Sequence, residues 1–311
     1  MRKSRCQTGW WTAGILLTVL LSGAGHAQSI PFHTLRNKTI VPARVGDSRI
    51  LNIVLDTGMT FDGLLVYNPD LADSLYLENP MEVRVPGAGS GEPARGIMAD
   101  SAEFFLHDVK MDGQRILALT SDVYRGFPSD GVIGYSIFGH YAVELNYDTH
   151  EITLHPPSEL TVDKTWTALP LYFKRNTIPW IDIAVTIEGG DPVPISVYID
   201  FASGESVELL ERETMKFSLP ENREKAYLGR GLSGDIWGSR GKIEALHIGP
   251  YTFTEVEAAF ARAKVRSKQP NADGVLGNDG LRRFNLIFDY AGKQLYIKPN
   301  SHFEEKFTRA H

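Results

Sequence analysis

Two segments of the chain repeat one another at a fixed offset of 143 residues. DGVIGYSIFGHYAVELNYDTHEITLHP begins at Asp130, and DGVLGNDGLRRFNLIFDYAGKQLYIKP begins at Asp273. Each segment predicts a glycine-bounded turn, a short helix and two strands in which apolar and polar residues alternate. A long period that occurs only twice is not typical of a solenoid, and it indicates duplication into two halves related by a pseudo-twofold axis.

The correspondence extends upstream in the same order. IPFHTLRN near the start of the chain matches LPLYFKRN, and Ser90 and Gly91 match Ser233 and Gly234 at an offset of 143 residues. We therefore expect two homologous halves with a linker between them and a frayed charged tail after them. The predicted divisions are a signal peptide at 1–27, an N-terminal lobe at 28–157, a linker at 158–168, a C-terminal lobe at 169–300 and a tail at 301–311.

The first 27 residues have the three parts of a secretory signal peptide. MRKSR is basic, AGILLTVLLS is apolar, and GHA is a small-residue cleavage site before Gln28. An uncleaved membrane anchor is the alternative, but the apolar run is shorter than the ~20 residues that a spanning helix needs. The only cysteine, Cys6, lies in this leader, so disulfides are not expected. The sequence predicts an exported protein, periplasmic or secreted, without a membrane partner after cleavage.

The charge balance bears on the possible partners. The chain has 32 basic and 38 acidic residues, and removal of the leader takes away three bases (Arg2, Lys3 and Arg5) and no acid. The net charge then changes from −6 to −9. Such a surface argues against nucleic acids and anionic membranes as partners.

Asp56 and Asp200 end two apolar, β-branched runs, ILNIVLD and PISVYID, at an offset of 144 residues. An aspartate at the end of a buried strand needs hydrogen bonds, and the backbone amides of the following turn are the natural donors. Gly58 lets that turn come close, and Thr57 adds a hydroxyl. Residues near a pseudo-twofold axis meet their own counterparts, so we expect the two carboxyl groups to be neighbours.

Two carboxyl groups about 3 Å apart do not both ionise, so they share a proton and titrate as a pair. One member deprotonates a water molecule that lies between them, while the other donates a proton to a substrate carbonyl. This chemistry requires neither a metal nor a covalent intermediate. We expect no cofactor, because GRGLSG fits the GxGxxG pattern without the helix and acidic residue of a dinucleotide site. We also expect no metal site, because no histidine pair has ligand spacing.

DTG after a β-branched strand, DGVIG or DGVLG before a short helix, and a glycine-rich hairpin between them resemble the aspartic protease superfamily. The similarity covers nearly the whole chain after the leader, and it is to the retropepsin-like, single-chain bacterial type. It implies an all-β fold with two β-barrel lobes and a cleft between them. It also implies an aspartic endopeptidase that acts on peptides or proteins, with Asp56 and Asp200 as the catalytic pair. A chain that supplies both aspartates has no need to dimerise, so we expect a monomer.

The resemblance also implies a mobile hairpin over the cleft. By position, the flap-like segments are VRVPGAGSGEPARGIM, 83–98, and GRGLSGDIWGSRGKI, 229–243. Their glycine content suits a loop that opens and closes. Trp237 lies in the second segment and is either a packing residue or a cover for a bound peptide. The candidate substrate-binding residues of the two flaps are Ser90, Gly91, Ser233, Gly234 and Trp237.

The second aspartate loop departs from the family pattern. Phe201 and Ala202 stand where the family has threonine or serine and then glycine. Phe201 offers no donor or acceptor to brace the loops, and Ala202 resists backbone angles that glycine accepts. Thr57 is then expected to brace from one side, with Ser203 as a substitute on the other. The alternative to a working peptidase is a catalytically impaired module of the same fold that binds peptides without cutting them.

Overall fold

The computed structural model describes residues 28–124, 126–266, 269 and 271–307. The predicted signal peptide at 1–27 lies outside these residues. Within them the chain is all-β, as predicted, and its two α-helices have only four residues each. None of the helices in the described ranges is both long and apolar enough to cross a bilayer.

The strands account for nearly all regular structure. In chain order they are β1 (Gln28–Pro31), β2 (His33–Leu35), β3 (Lys38–Val45), β4 (Leu51–Leu55), β5 (Gly63–Val66), β6 (Met81–Val85), β7 (Ala94–Leu106), β8 (Val109–Leu119), β9 (Gly131–Ile133), β10 (Ala142–Asn146), β11 (Glu151–His155), β12 (Thr167–Pro170), β13 (Trp180–Thr186), β14 (Val193–Asp200), β15 (Val207–Glu211), β16 (Glu224–Gly231), β17 (Gly234–Ile248), β18 (Tyr251–Arg262), β19 (Gly274–Gly277), β20 (Phe284–Asp289) and β21 (Gln294–Pro299). The helices are α1 (Tyr135–Phe138) and α2 (Asn278–Leu281), and 3-10 segments cover Pro69–Leu75, Pro157–Glu159 and Ala263–Arg266.

Each half of the chain closes six strands into a ring. The N-terminal sheet has the order β2-β3-β4-β9-β5-β8-β7-β6, and a further pairing of β3 with β7 closes it. The C-terminal sheet has the order β13-β14-β19-β15-β18-β17-β16, and β13 closes on β17. Parallel and antiparallel pairs follow the same sequence around both rings. The predicted β-barrel content is therefore confirmed.

The two rings share their pairing register as well as their strand order. Side chains alternate along a strand, so a slip of one residue would turn every side chain to the opposite face. A shared register therefore gives corresponding residues of the two halves the same surroundings. The matching pairs are Ile53 with Gly131 and Val197 with Gly274 on parallel strands, and Leu65 with Val132 and Glu208 with Val275 on antiparallel strands.

The aspartate of each repeated DGV sequence accepts a hydrogen bond from a strand of its own ring. Asp130 accepts a hydrogen bond from the backbone amide of Asn52 at 2.9 Å, and Asp273 accepts one from the amide of Ser196 at the same distance. The guanidinium of Arg49 also donates two hydrogen bonds to Asp130. These hydrogen bonds lower the pKa of Asp130 despite its partial burial. The repeated aspartates are thus structural groups that hold the inner strands in place.

A third sheet joins the two halves. Its order is β1-β11-β10-β20-β21-β12, and β10 of the first half pairs with β20 of the second. Glu144 faces its own counterpart in the second half, Ile287, and the residues on either side of Glu144 face each other's counterparts. This is the arrangement of a local twofold axis. The aromatic rings of Phe138 and Phe288 pack edge to face beneath it, with centroids 5.2 Å apart. The facing residues are Val143 with Phe288, Glu144 with Ile287, and Leu145 with Leu286.

The tail packs against the C-terminal half through Phe307, so the expectation of a frayed segment is wrong for residues 301–307. The ring of Phe303 contacts the ring of Phe253 at 5.0 Å between centroids. The guanidinium of Arg283 lies 3.7 Å from the ring centre of Phe307. Aromatic burial of this kind outweighs the charged composition of the segment.

Candidate active site

The structure brings Asp56 and Asp200 together from opposite halves of the chain. Asp56 directly follows β4, which lies parallel to β9, and Asp200 ends β14, which lies parallel to β19. A β-carbon placed on Gly58 would be 3.0 Å from Oδ1 of Asp56 and 3.1 Å from Cγ of Asp200. Both carboxyl groups therefore adjoin the same point, and a β-carbon there would require them to shift by a few tenths of an ångström.

Gly58 is needed for this approach and not for an unusual backbone angle. The φ angle of Gly58 is not positive. The close contacts with two carboxyl groups are what exclude a larger residue. Ala202, at the corresponding place in the second loop, likewise has no positive φ angle. The expected backbone strain at Ala202 is therefore not found.

Backbone amides of the following turns hold both carboxyl groups. Oδ1 of Asp56 accepts a hydrogen bond from the amide of Gly58 at 2.7 Å. Oδ1 of Asp200 accepts two hydrogen bonds, from the amides of Ala202 and Ser203, each at 3.1 Å. The donors are thus backbone amides of the turn, as expected. Ser203 supports Asp200 through its amide and not through its hydroxyl, so the expected substitute brace by Ser203 is not found.

Thr57 braces the two loops against each other. Its hydroxyl donates a hydrogen bond to the carbonyl of Ile199 at 2.9 Å and accepts one from the amide of Phe201 at 3.0 Å. The side chain of Phe201 is fully buried, and its ring stands perpendicular to that of Phe288 at 5.7 Å. The first half therefore contributes a polar contact, through the hydroxyl of Thr57. The second half contributes an apolar one, because the side chain of Phe201 packs into the core and holds its loop there.

Three charged residues that the sequence reasoning missed surround the aspartates. The guanidinium of Arg266 donates to both carboxylate oxygens of the buried Glu208, at 3.0 and 2.9 Å. The third nitrogen of that guanidinium, Nη1, lies 3.6 Å from Oδ2 of Asp200. Lys38, the first residue of β3, lines the same cavity. The sequence does carry one signal for this group, because Glu208 interrupts an apolar strand.

The surroundings make Asp56 a weak acid. Burial raises its pKa to about 8, and the negative charge of Asp200 acts in the same direction. The amide of Gly58 and the charges of Lys38 and Arg266 oppose the increase. Burial also lowers the pKa of Lys38, although the neighbouring carboxylates favour its charged form. Asp56 therefore keeps its proton to a higher pH than an ordinary aspartate does.

A cavity of about 490 Å³ opens above the two carboxyl groups. Both halves of the chain and both glycine-rich hairpins contribute to its wall. The N-terminal half contributes mainly apolar side chains, whereas the C-terminal half contributes several polar ones. Lining residues of the first kind include Met59, Phe61, Leu65, Met98, Leu117 and Phe127, and those of the second include Tyr198, Arg266 and Gln269.

The tips of the two hairpins bind each other over the cavity. The amide of Gly91 donates to the carbonyl of Ser233 at 2.6 Å, and the amide of Ser233 donates to the carbonyl of Ala88 at 2.9 Å. Gly89 has a φ angle of +113°, and a β-carbon there would lie 2.4 Å from the Ser233 carbonyl oxygen. Glycine is thus required where the hairpins cross. The hairpin–hairpin contact roofs the cavity.

The predicted flap residues take two different positions. Gly91 and Ser233 form the contact between the hairpins, next to Gly234, whereas Ser90 lines a separate surface hollow. Trp237 also lines that hollow and is 55 % exposed. Because side chains alternate along a strand, Ile236 faces the cavity instead of Trp237. Trp237 therefore does not cover the cavity.

No protein-family model matches the chain, and no curated protein matches it. Among the described residues, no group of three or more histidine, cysteine, aspartate or glutamate side chains is arranged to hold a metal ion.

Proposed function

We propose that the chain is an aspartic endopeptidase of the retropepsin-like, single-chain type. Its two lobes would be the two six-stranded rings, and its substrate cleft would be the cavity between them. One observation carries the proposal: Asp56 and Asp200 both adjoin Gly58 at the floor of a roofed cavity. Paired carboxyl groups of this kind suit general acid–base catalysis on an amide.

The two aspartates have different roles in this proposal. Asp56 holds a proton at neutral pH because its pKa is raised to about 8. Asp200 has the guanidinium of Arg266 3.6 Å from Oδ2, which stabilises a negative charge there. Asp56 is thus the acid and Asp200 the base in the first step. Arg266 and Lys38 touch the cavity, and their positive charges favour one net negative charge on the pair.

The reaction is direct attack by water. Asp200 removes a proton from a water molecule, whose oxygen bonds to the carbonyl carbon of the peptide, while Asp56 donates its proton to the carbonyl oxygen. The tetrahedral diol then collapses: Asp200 returns a proton to the amide nitrogen, the C–N bond breaks, and one diol hydroxyl returns its proton to Asp56. The products are a carboxylic acid and an amine, and the pair regains its starting protonation.

We further propose that the protein acts outside the cytoplasm as a monomer. The basic, apolar and small-residue parts of the leader support export. The presence of both aspartates in one chain supports a monomer, because the site needs no residue from a second copy. Peptides or unfolded protein segments would be the substrates, since a roofed groove between two sheets accepts an extended chain.

Incubation of the purified protein with a diverse mixture of unstructured peptides tests the proposal. Mass spectrometry at several pH values between about 4 and 9 would identify the cut bonds. We expect cuts that disappear in Asp56→Asn and persist in Lys164→Gln, a substitution at an exposed position of the linker that lines neither the cavity nor the surface hollow. Cuts of equal rate in Asp56→Asn would refute the proposal.

A second candidate is a module that binds peptides without cutting them. Phe201 favours it, because the second loop lacks the hydroxyl that the first one has. A statine-type mimic of the tetrahedral intermediate separates the two candidates. A working pair should bind the mimic at least about 100-fold more tightly than the matching peptide, whereas a simple groove should bind both alike.

A further inference from the structure

Three positions that are equivalent in the two rings carry side chains of opposite polarity. Leu65 faces Val132 as Glu208 faces Val275, so Leu65 and Glu208 correspond by strand register. The other two pairs are Tyr124 with Arg266 and Phe127 with Gln269. A turn with the same hydrogen bond fixes this second match: the Phe127 amide donates to the Tyr124 carbonyl at 2.9 Å, and the Gln269 amide donates to the Arg266 carbonyl at 2.8 Å.

In the N-terminal half these positions form an apolar wall. Leu65, Tyr124 and Phe127 all line the cavity. The rings of Tyr124 and Phe127 contact each other edge to face, with centroids 5.1 Å apart. Tyr67 packs on Tyr124 at 4.6 Å and extends the same surface. A large apolar side chain placed here would be buried against aromatic and aliphatic groups.

In the C-terminal half the equivalent wall is polar. Arg266 and Gln269 line the cavity, and the side chain of Glu208 lies buried behind Arg266. Gln269 is only 7 % exposed, yet its Nε2 has no hydrogen-bond partner among the described residues. A buried donor without an acceptor costs about 1–3 kcal/mol. A ligand that brings an acceptor oxygen to Gln269 would remove this cost.

We propose that the cavity selects peptides with a large apolar residue on one side of the cut bond and a side-chain carbonyl or carboxylate oxygen on the other. Asparagine, glutamine, aspartate and glutamate carry such an oxygen. The apolar residue packs on Leu65, Tyr124 and Phe127, and the oxygen accepts from Nε2 of Gln269 beside Arg266. This substrate class rests on the proposed peptidase function, which it deepens.

A set of matched peptides tests the selection. The peptide mixture first shows which residues flank the cut bonds, and the best peptide is then remade with Gln, Glu, Leu or Phe on the polar side. We expect kcat/KM for the better of the Gln and Glu peptides to exceed that for Leu and Phe by about 10- to 100-fold. A higher kcat/KM for the Glu peptide would assign recognition to the charge of Arg266. A higher kcat/KM for the Gln peptide would assign it to the neutral amide of Gln269.

Exchange of equivalent residues tests the assignment to the wall itself. Gln269→Phe places the residue of the apolar wall in the polar one, and it keeps Glu208 and Asp200, the side chains that Arg266 contacts. We expect this variant to lose the preference for the oxygen-bearing residue and to accept Leu or Phe. Phe127→Gln should weaken the preference for the apolar residue instead. Lys164→Gln, the exposed control in the linker, should change neither preference.

The same peptides with a reduced, uncleavable –CH₂–NH– bond separate this inference from the proposed function. Suppose that the protein cuts no peptide and yet binds the Gln or Glu analogue at least about 10-fold more tightly than the Phe analogue. That result would support the polar wall as a recognition site and refute the peptidase function. Cleavage with large apolar residues preferred on both sides would overturn the inference and leave the peptidase in place. An unchanged preference in Gln269→Phe would also overturn it.

Discussion

The hydroxyl of Thr57 accepts a hydrogen bond from the backbone amide of Phe201, 144 positions later in the chain, at 3.0 Å. The same hydroxyl donates to the carbonyl of Ile199 at 2.9 Å. One buried side chain thus ties the loop of the first aspartate to both sides of the second. The position of Asp200 relative to Asp56 depends on this contact.

Thr57→Val keeps the shape of the side chain and removes the hydroxyl. The variant leaves the amide of Phe201 and the carbonyl of Ile199 unpaired in a buried place, so we expect a loss of about 1–3 kcal/mol in the free energy of unfolding. We also expect a lower kcat with little change in KM, because the aspartates lose their mutual position. Urea denaturation and steady-state kinetics measure the two effects. Thr34→Val, at an exposed position of β2, is the control, and equal stability of the two variants would contradict the role of Thr57.

Gly58→Ala and Ala202→Gly form a reciprocal pair. A β-carbon at Gly58 would lie 3.0 Å from Oδ1 of Asp56 and 3.1 Å from Cγ of Asp200, so Gly58→Ala requires the carboxyl groups to shift by a few tenths of an ångström. We expect it to lower kcat/KM by about 10- to 100-fold. Ala202→Gly introduces no new contact and relieves no positive φ angle, so its kcat/KM should stay within about threefold of the parent value. Similar losses in both variants would show that the space at Gly58 is not what matters.

The raised pKa of Asp56 predicts a dependence of stability on pH. The folded protein holds this proton up to about pH 8, whereas the unfolded chain releases it near 3.8. The stability that the proton contributes is therefore fully present below 3.8 and is lost as the pH rises through 8. Asp56→Asn does not titrate, so we expect it to be more stable than the parent at pH 8, by on the order of 5 kcal/mol, with little advantage near pH 4.

Thermal or urea unfolding at several pH values measures this difference. Asp200, Lys38 and Arg266 are the other charged groups that face Asp56, and all remain in the variant. Cleavage by the parent protein should also persist at neutral pH and decline above about pH 8, as Asp56 loses its proton. A constant stability difference from pH 4 to 9 would show that Asp56 has an ordinary pKa.

The ion pair of Glu208 and Arg266 predicts a double-mutant result. Arg266→Met leaves Glu208 buried without a partner, which should destabilise the protein by about 3–5 kcal/mol. Glu208→Leu together with Arg266→Met removes both charges and should restore most of that loss. We expect the double variant to have a lower kcat at neutral pH than the parent, because Asp200 has lost its neighbouring positive charge. Parent-like kcat in a stable double variant would exclude a role of Arg266 in the reaction.

Much of the fold follows from the repeat. The alternation around Val143 and Leu286 predicts the strands that join the halves, and the shared offset brings Asp56 beside Asp200 because both adjoin a local twofold axis. The strands and the aspartates repeat within the chain, so one copy supports the interpretation of the other. The brace by Thr57 does not repeat, because Phe201 stands at the equivalent position, and it is expected only from the family resemblance.

The sequence does not predict the features in which the halves differ. Arg266 reaches Glu208 across 58 positions and reaches Asp200 as well, and only the closed ring brings these groups together. The orientation of Trp237 depends on a strand register that its composition does not fix. The packed tail depends on a cluster of aromatic rings that includes Phe303 and forms only in the folded chain.

The most direct test of the account is the kcat/KM of one good peptide substrate for the parent, Asp56→Asn, Asp200→Asn and the double variant. Because the two aspartates act as one unit, we expect each single variant to lose at least about 10³-fold and the double variant to lose little more. Circular dichroism and unfolding curves would establish that all four proteins are folded. Cleavage that survives either single substitution, or losses that multiply in the double variant, would contradict a shared acid–base pair at Asp56 and Asp200.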